Sequence, residues 1–169
     1  KGNVISLKKR CEWRGIKANV IDFGFSSDTQ MLRDADIILL GGASDREQEI
    51  LYNHLLKQKD ILKELIEKEV CVLAICGGYQ LLGRCYIDAN GREIAGLGIL
   101  DFYTQSEQKR LIGNIIIETS LDTPIKTVVG YENHGGRTYH SYTPFGRVLY
   151  GYGNNAKDKY EGLIYKNVI

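Results

Sequence analysis

The sequence has 169 residues, 43% of them hydrophobic and 25% charged, with a formal net charge of +1, which suits one substantial core. Nothing in that balance predicts a nucleic-acid partner or an acidic tail. The four cysteines form no paired CxxC motifs, so structural zinc and a secreted disulfide framework are both disfavoured and a reducing cytoplasm is expected.

No run is long and apolar enough to span a membrane, and Lys1-Gly2-Asn3 reads neither as a signal peptide nor as a start at methionine. Residues 4–14 have helical periodicity, with Val4, Leu7 and Cys11 on one face and Gly15 as the stop. A short strand is expected over 18–23 and a loop at Ser26-Ser27-Asp28. Ile37-Ile38-Leu39-Leu40 is a continuous apolar run of the kind found in a parallel strand covered on both faces.

Gly41-Gly42-Ala43-Ser44 follows that run. Ser44 and Glu47 have capping-box spacing, so a helix is expected from Asp45, with a break near Asp60 before Ile61, Leu62, Leu65 and Ile66. Residues 70–75 read as a second buried strand and 77–82 as a short helix. This alternation indicates an α/β domain with a mostly parallel sheet. Beyond it, Asn90-Gly91 reads as a tight turn, and strands are expected over 110–119, 125–131, 147–150 and 162–165 as antiparallel additions.

Cys76 stands out because a buried strand gives way to a helix there and two glycines follow at once. Such a turn needs small neighbours, holds the nucleophile in a strained conformation and sets its sulfur at the helix's amino end, which favours thiolate. Against this, free cysteines are commonly buried and inert, and Cys11 and Cys71, within apolar patterns, fit that description better. Parallel strands bring their carboxyl ends to one edge, so Gly41-Gly42 is expected to face Cys76 across a crevice. The amides of Gly42 and Gly77 then become candidates for stabilising an oxyanion, although a double glycine also serves simply to turn the chain. Gly151-Tyr152-Gly153 lacks a P-loop lysine and a Rossmann context, and is expected to be a turn.

Ile75-Cys76-Gly77-Gly78-Tyr79-Gln80, preceded by Leu39-Leu40-Gly41-Gly42, resembles the class I, triad-type glutamine amidotransferases of the cobyric acid synthase branch. Residues 41–48, 96–103 and 130–139 carry longer motifs, and with them the resemblance extends over essentially the whole chain, to the lipid II-amidating members of that branch. It implies a class I glutamine amidotransferase-like fold: a mostly parallel central sheet flanked by helices, with additional antiparallel strands. One such domain is expected over 1–169, with the family's first strand before Lys1 and its catalytic-histidine segment after Ile169.

The same resemblance implies Cys76 as nucleophile, Gly42 and Gly77 as the oxyanion hole, and Arg110 as the residue that binds glutamine, its guanidinium suiting the α-carboxylate. The catalytic histidine is expected beyond Ile169. His134, in Glu132-Asn133-His134-Gly135-Gly136, is expected to shape an active-site loop or the partner surface, and none of His54, His134 and His140 is assigned as the base. Glu132 resembles a family feature, yet the acid that orients the histidine is left unassigned. No metal or cofactor is implied in this subunit; ATP and Mg belong to a MurT-like Mur ligase partner, which receives ammonia from L-glutamine and amidates the D-glutamate α-carboxyl of lipid II. The expected location is the cytoplasm, at the inner face of the membrane through the substrate complex. A glutaminase serving a cobyrinate-like acceptor and an inactive regulatory scaffold are the alternatives.

Overall fold

The computed structural model describes residues 2–24, 26–42 and 45–169, with the backbone but not the side chains of residues 45–49. Helix α1 (Gly2–Trp13) half-buries Val4, Leu7 and Cys11 on one face and leaves Ile5 exposed, as the i, i+3, i+7 spacing requires. Gly15, at φ +68°, ends it, and the Ile16 N–H donates back to the Cys11 carbonyl. The strand expected over 18–23 does not form: the segment is irregular, with Val20 and Ile21 exposed. A strand pattern needs a neighbouring strand to take its backbone groups, and none among the described residues pairs with this one.

A short helix α2 (Gln30–Arg33) leads to β1 (Ile37–Leu40), then α3 (Asp45–Leu56) and α4 (Lys59–Glu67). The helix break falls at residues 57–58, close to the expected position, whereas the Ser44–Glu47 cap lies outside the described residues. Helix α4 buries Leu62, Leu65 and Ile66 and leaves Glu64 half-buried, where it pairs with both Arg33 and Lys68 at 2.8 and 2.7 Å. Those charges hold the Glu64 carboxyl at about 2, the hydrogen bond from Arg33 being the largest cause.

Strand β2 (Cys71–Ala74) runs parallel to β1, pairing Ile38 with Val72 and Leu40 with Ala74. On its other side residues 167–169 extend the ladder: the Val72 and Ala74 N–H groups donate to the carbonyls of Asn167 and Ile169, and Val72 bridges Val168 in parallel. Helix α5 (Gly77–Leu82) follows, then β3 (Cys85–Ile87) and β4 (Glu93–Ala95), joined by a turn at Asn90-Gly91 with Gly91 at φ +80°.

The rest of the chain corrects the expected sheet. β5 (Phe102–Thr119) and β6 (Thr127–His140) form one long antiparallel hairpin arm, and β7 (Gly146–Tyr150) and β8 (Tyr160–Glu161) add to it antiparallel. The larger sheet is therefore mostly antiparallel, with β3–β5 its parallel pair. Apart from that pair, parallel pairing is confined to the β1–β2 part that carries Cys76, so the mostly parallel sheet expected above does not hold. The hairpin arm explains why: its β5–β7 half packs Ile115, Ile117 and Val148 to one side and leaves Ile112 and Val129 exposed on the arm. One-sided burial of this kind suits antiparallel strands. The segment expected as a strand over 162–165 contributes only isolated bridges beyond β8.

The main core joins the two sheets through Leu62, Ile66, Val72, Leu82, Phe102 and Val168. Phe102 and Leu82 are almost fully buried, each contributing roughly 1.5–3 kcal/mol by the usual burial scale. Phe102 also stacks on Tyr79 of α5 at 4.7 Å between ring centres, so the helix that begins at Cys76 is anchored from below. No helix among the described residues is long and apolar enough to cross a membrane.

Candidate active site

Strands β1 and β2 end at the same edge, and the Ile75 N–H donates to the Leu40 carbonyl there at 2.9 Å. The chain then turns sharply at Cys76, whose φ of 55° and ψ of −117° fall outside the conformations ordinary residues prefer. Of the four cysteines, Cys76 is exposed and the other three are half-buried. The conformation lifts the sulfur off the strand and starts α5 immediately behind it, with the Gln80 N–H donating to the Cys76 carbonyl.

Two glycines pack closely around this turn. A Cβ on Gly78 would stand 2.5 Å from the Leu40 carbonyl oxygen and 2.7 Å from that of Gly41, so only glycine lets α5 sit this close to the end of β1. A Cβ on Gly42 would lie 3.3 Å from the Cys76 Cβ and 3.8 Å from its Sγ. The expectation that the double glycine faces Cys76 across the sheet edge therefore holds in space for Gly42. Gly77 is the first residue of α5, where backbone N–H groups have no partner within the helix.

Arg110 lies in an irregularity of the hairpin arm: Ser106 pairs with Gly136 and Leu111 with His134, so residues 107–110 stand opposite Gly135 alone. Its Nε donates to Asn133 Oδ1 at 2.9 Å and its Nη2 to the Asn133 carbonyl at 2.8 Å, which aims the guanidinium along β6. The bulge approaches α5, because a Cβ on Gly136 would stand 3.3 Å from Gln80 Nε2, one turn after Cys76.

Buried Arg137 holds this bulge. Its Nη1 donates to the carbonyls of Gly135 and Gly136, its Nη2 donates to that of Lys109 at 2.5 Å, and its Nε lies 3.6 Å from Glu107. Sequence reasoning missed Arg137, since an arginine in a strand pattern gives no sign that it is buried.

His134 is committed to its own loop: Nδ1 sits 2.8 Å from the Gly136 carbonyl and Nε2 3.6 Å from Glu132. Because a carbonyl only accepts, Nδ1 carries the proton. Glu132 in turn accepts from the Tyr152 and Gly153 amides at 2.8 and 3.0 Å. The glycine-flanked segment at 151–153 is thus a turn, as expected, and one that holds a buried carboxylate. His140 Nε2 lies 3.0 Å from the Gly162 carbonyl and 3.1 Å from Asn154 Nδ2, while His54 packs its ring near Phe23 at 5.7 Å.

A cavity of about 250 Å³ opens beside Cys76. It runs along Leu73, Ala74 and Ile75 of the strand and is completed by Tyr79, Phe145, Asn154, Glu161 and Ile169, with no histidine among the described residues lining it. Burial, then the charges of Glu132 and Asp158, push the Glu161 carboxyl up to about 7. Burial and the Glu161 charge also push the Tyr79 phenol above its ordinary range. Glu161 too escaped sequence reasoning, because nothing local in Tyr160-Glu161-Gly162 signals its burial.

A strained, exposed cysteine between a parallel strand and a helix, with glycine backbone against its sulfur, defines a thiol-nucleophile site on an α/β frame. Residues 3–169 match the model of the CobB/CobQ-like glutamine amidotransferase domain, and the chain belongs to that family. Within it the chain is GatD-like. It is 50% identical over 168 residues to the glutamine-hydrolysing lipid II isoglutaminyl synthase subunit GatD of Staphylococcus aureus (strain N315), covering 99% of this chain and 68% of that protein. The corresponding subunit of Streptococcus pneumoniae (strain ATCC BAA-255 / R6) is 39% identical over 170 residues, covering 99% of this chain and 64% of its own length. A probable cobyric acid synthase of Methanococcus maripaludis (strain C6 / ATCC BAA-1332) is 36% identical over 134 residues, 75% of this chain and 27% of that protein. The chain thus spans about two thirds of the length of its GatD relatives.

Proposed function

We propose that this chain is the core of a glutaminase subunit in which Cys76 attacks the side-chain carboxamide of L-glutamine. The observation that carries the reading is the Cys76 turn itself: an exposed sulfur on a strained backbone, with Gly42 against it and the first turn of α5 behind it. The thiolate adds to the amide carbon, and the amides of Gly42 and Gly77 receive the negative charge that develops on oxygen. Collapse expels the amide nitrogen, which takes up a proton and leaves as ammonia. Water then hydrolyses the glutamyl thioester to glutamate and returns the thiol. Arg110 binds the glutamine α-carboxylate from the bulge beside α5.

The base that takes the Cys76 proton is a histidine in the segment following Ile169. Residues 167–169 support this, since they run parallel to β2 and direct the chain after Ile169 toward the edge where Cys76 sits. Residues 1–169 then form a single amidotransferase domain, preceded by the family's first strand.

The ammonia passes to a MurT-like ligase, which uses ATP and Mg to amidate the D-glutamate α-carboxyl of lipid II; this subunit itself needs no cofactor. The GatD relatives, matched over nearly the whole chain, favour that acceptor over a cobyrinate-like one, for which the match is shorter and weaker. Acting on lipid II, the complex would operate in the cytoplasm at the inner membrane face. The test is ammonia release from L-glutamine by the full-length protein, alone and with its ligase partner. Release that disappears in Cys76→Ala supports the reading. A folded complex that releases none with Cys76 intact would leave a binding scaffold.

A further inference from the structure

Arg110 is anchored at its base and aimed at its tip by different groups. The base belongs to the bulge at 107–110, which Arg137 holds through the carbonyls of Lys109, Gly135 and Gly136. None of those bonds reaches the Arg110 guanidinium, which is carried on an exposed side chain. An arginine left free in that position loses rotamer freedom each time a ligand fixes it, so aiming it in advance favours binding.

One residue fixes the tip. Asn133 stands on β6 opposite Ile112, just past the bulge. Its Oδ1 accepts from Arg110 Nε at 2.9 Å and its backbone carbonyl from Nη2 at 2.8 Å. Those two N–H groups form the side edge of the guanidinium. The end edge, made of Nη1 and the second Nη2 hydrogen, has no partner among the described residues. Nη1 lies 3.7 Å from where a Cβ on Gly135 would stand, and the glycine sets no side chain against it. Two parallel donors of this kind are what a carboxylate takes bidentately. Because Asn133 is uncharged, it holds the fork without cancelling its charge, whereas an aspartate there would neutralise it.

We propose that Asn133 is a positioning residue for substrate recognition: it grips the side edge of the Arg110 guanidinium and keeps the end edge turned out for the α-carboxylate of glutamine, with the positive charge undiminished. The proposal rests on the glutaminase reading above, in which Arg110 binds that carboxylate. Asn133 acts through Arg110 and takes no part in the chemistry at Cys76.

The experiment uses the full-length protein as wild type, Asn133→Ala, Asn133→Asp, Arg110→Ala and the double variant Arg110→Ala/Asn133→Ala. It measures kcat and KM for L-glutamine, and urea unfolding. Asn133→Ala changes an exposed side chain and keeps the backbone carbonyl, so that variant folds. Its KM should rise about tenfold, the cost of one hydrogen bond to a charged group, and by more than kcat falls. Asn133→Asp should unfold at no lower urea concentration than wild type, since it pairs with Arg110, while its KM rises at least as far. With Arg110 already replaced by alanine, removing Asn133 should raise KM no further. Wild-type KM in either Asn133 variant overturns the proposal. So does an Asn133→Asp variant that is both destabilised and raised in KM, or an Asn133→Ala effect equally large with and without Arg110, because a general loosening of β6 gives those results. If Arg110→Ala raises KM and Asn133→Ala does not, only the role of Asn133 falls; if Arg110→Ala keeps the wild-type KM, the reading of Arg110 falls with it.

Discussion

Replacing Cys76 with glycine should leave a more stable protein than replacing it with alanine, although both lose the sulfur. At φ 55° and ψ −117° a residue with a Cβ occupies a sparsely populated conformation, at a cost of about 1–3 kcal/mol. Glycine adopts it freely but carries roughly 0.5–1 kcal/mol more unfolded-state entropy than alanine. Because Cys76 is exposed, the methyl group that separates the two variants adds little burial. The balance favours glycine by about 0.5–2 kcal/mol. Urea unfolding of the two full-length variants in one buffer measures the difference directly. In a chain of this size each kcal/mol corresponds to roughly 2–4 °C in Tm, so thermal unfolding supplies a second reading. Equal stability, or a more stable alanine variant, would show that the turn is unstrained and that the conformation is not held by the surrounding structure.

Gly78→Ala pushes a methyl group into the carbonyls at the end of β1, which are backbone and cannot rotate aside. It should cost about 1–3 kcal/mol and reduce glutamine hydrolysis far more than that loss of stability explains, because α5 carries Cys76; unchanged unfolding and turnover would refute the close approach. Arg137→Met strips the donors from the carbonyls of Lys109, Gly135 and Gly136 and should destabilise by about 3 kcal/mol or more. Since it frees the bulge that carries Arg110, KM for glutamine should rise more than kcat falls, which a glutamine titration of the folded variant decides.

Legibility followed the range of the interactions. Helix α5 was readable to the residue and β2 nearly so, because an apolar run closed by Cys76-Gly77-Gly78 is a local signal. The facing of Gly42 and Cys76 followed from one further rule, that parallel strands end at one edge. Residues 18–23 carried a strand-like pattern that failed for want of a neighbour, which no pattern within the segment reveals. The sheet's direction was misjudged because the pairing of β5 with β6 joins residues such as Gln105 and Arg137 that lie far apart in the chain. The surroundings of Glu161 and Arg137 were hidden for the same reason. Each depends on what the fold places around it, a cavity shared with Cys76 for one and three carbonyls of the bulge for the other. His134 was readable as part of a distinctive loop, and the structure gives it loop-holding contacts.

The most direct test of Cys76 as the glutamine-attacking nucleophile is covalent trapping. The full-length protein is treated with a glutamine analogue bearing a diazoketone in place of the carboxamide, and the product is measured by intact mass and peptide mapping. The account predicts a single adduct on Cys76, slowed by excess L-glutamine and lost in Cys76→Ala. An adduct on Cys11, Cys71 or Cys85, or labelling that L-glutamine does not slow, would contradict it.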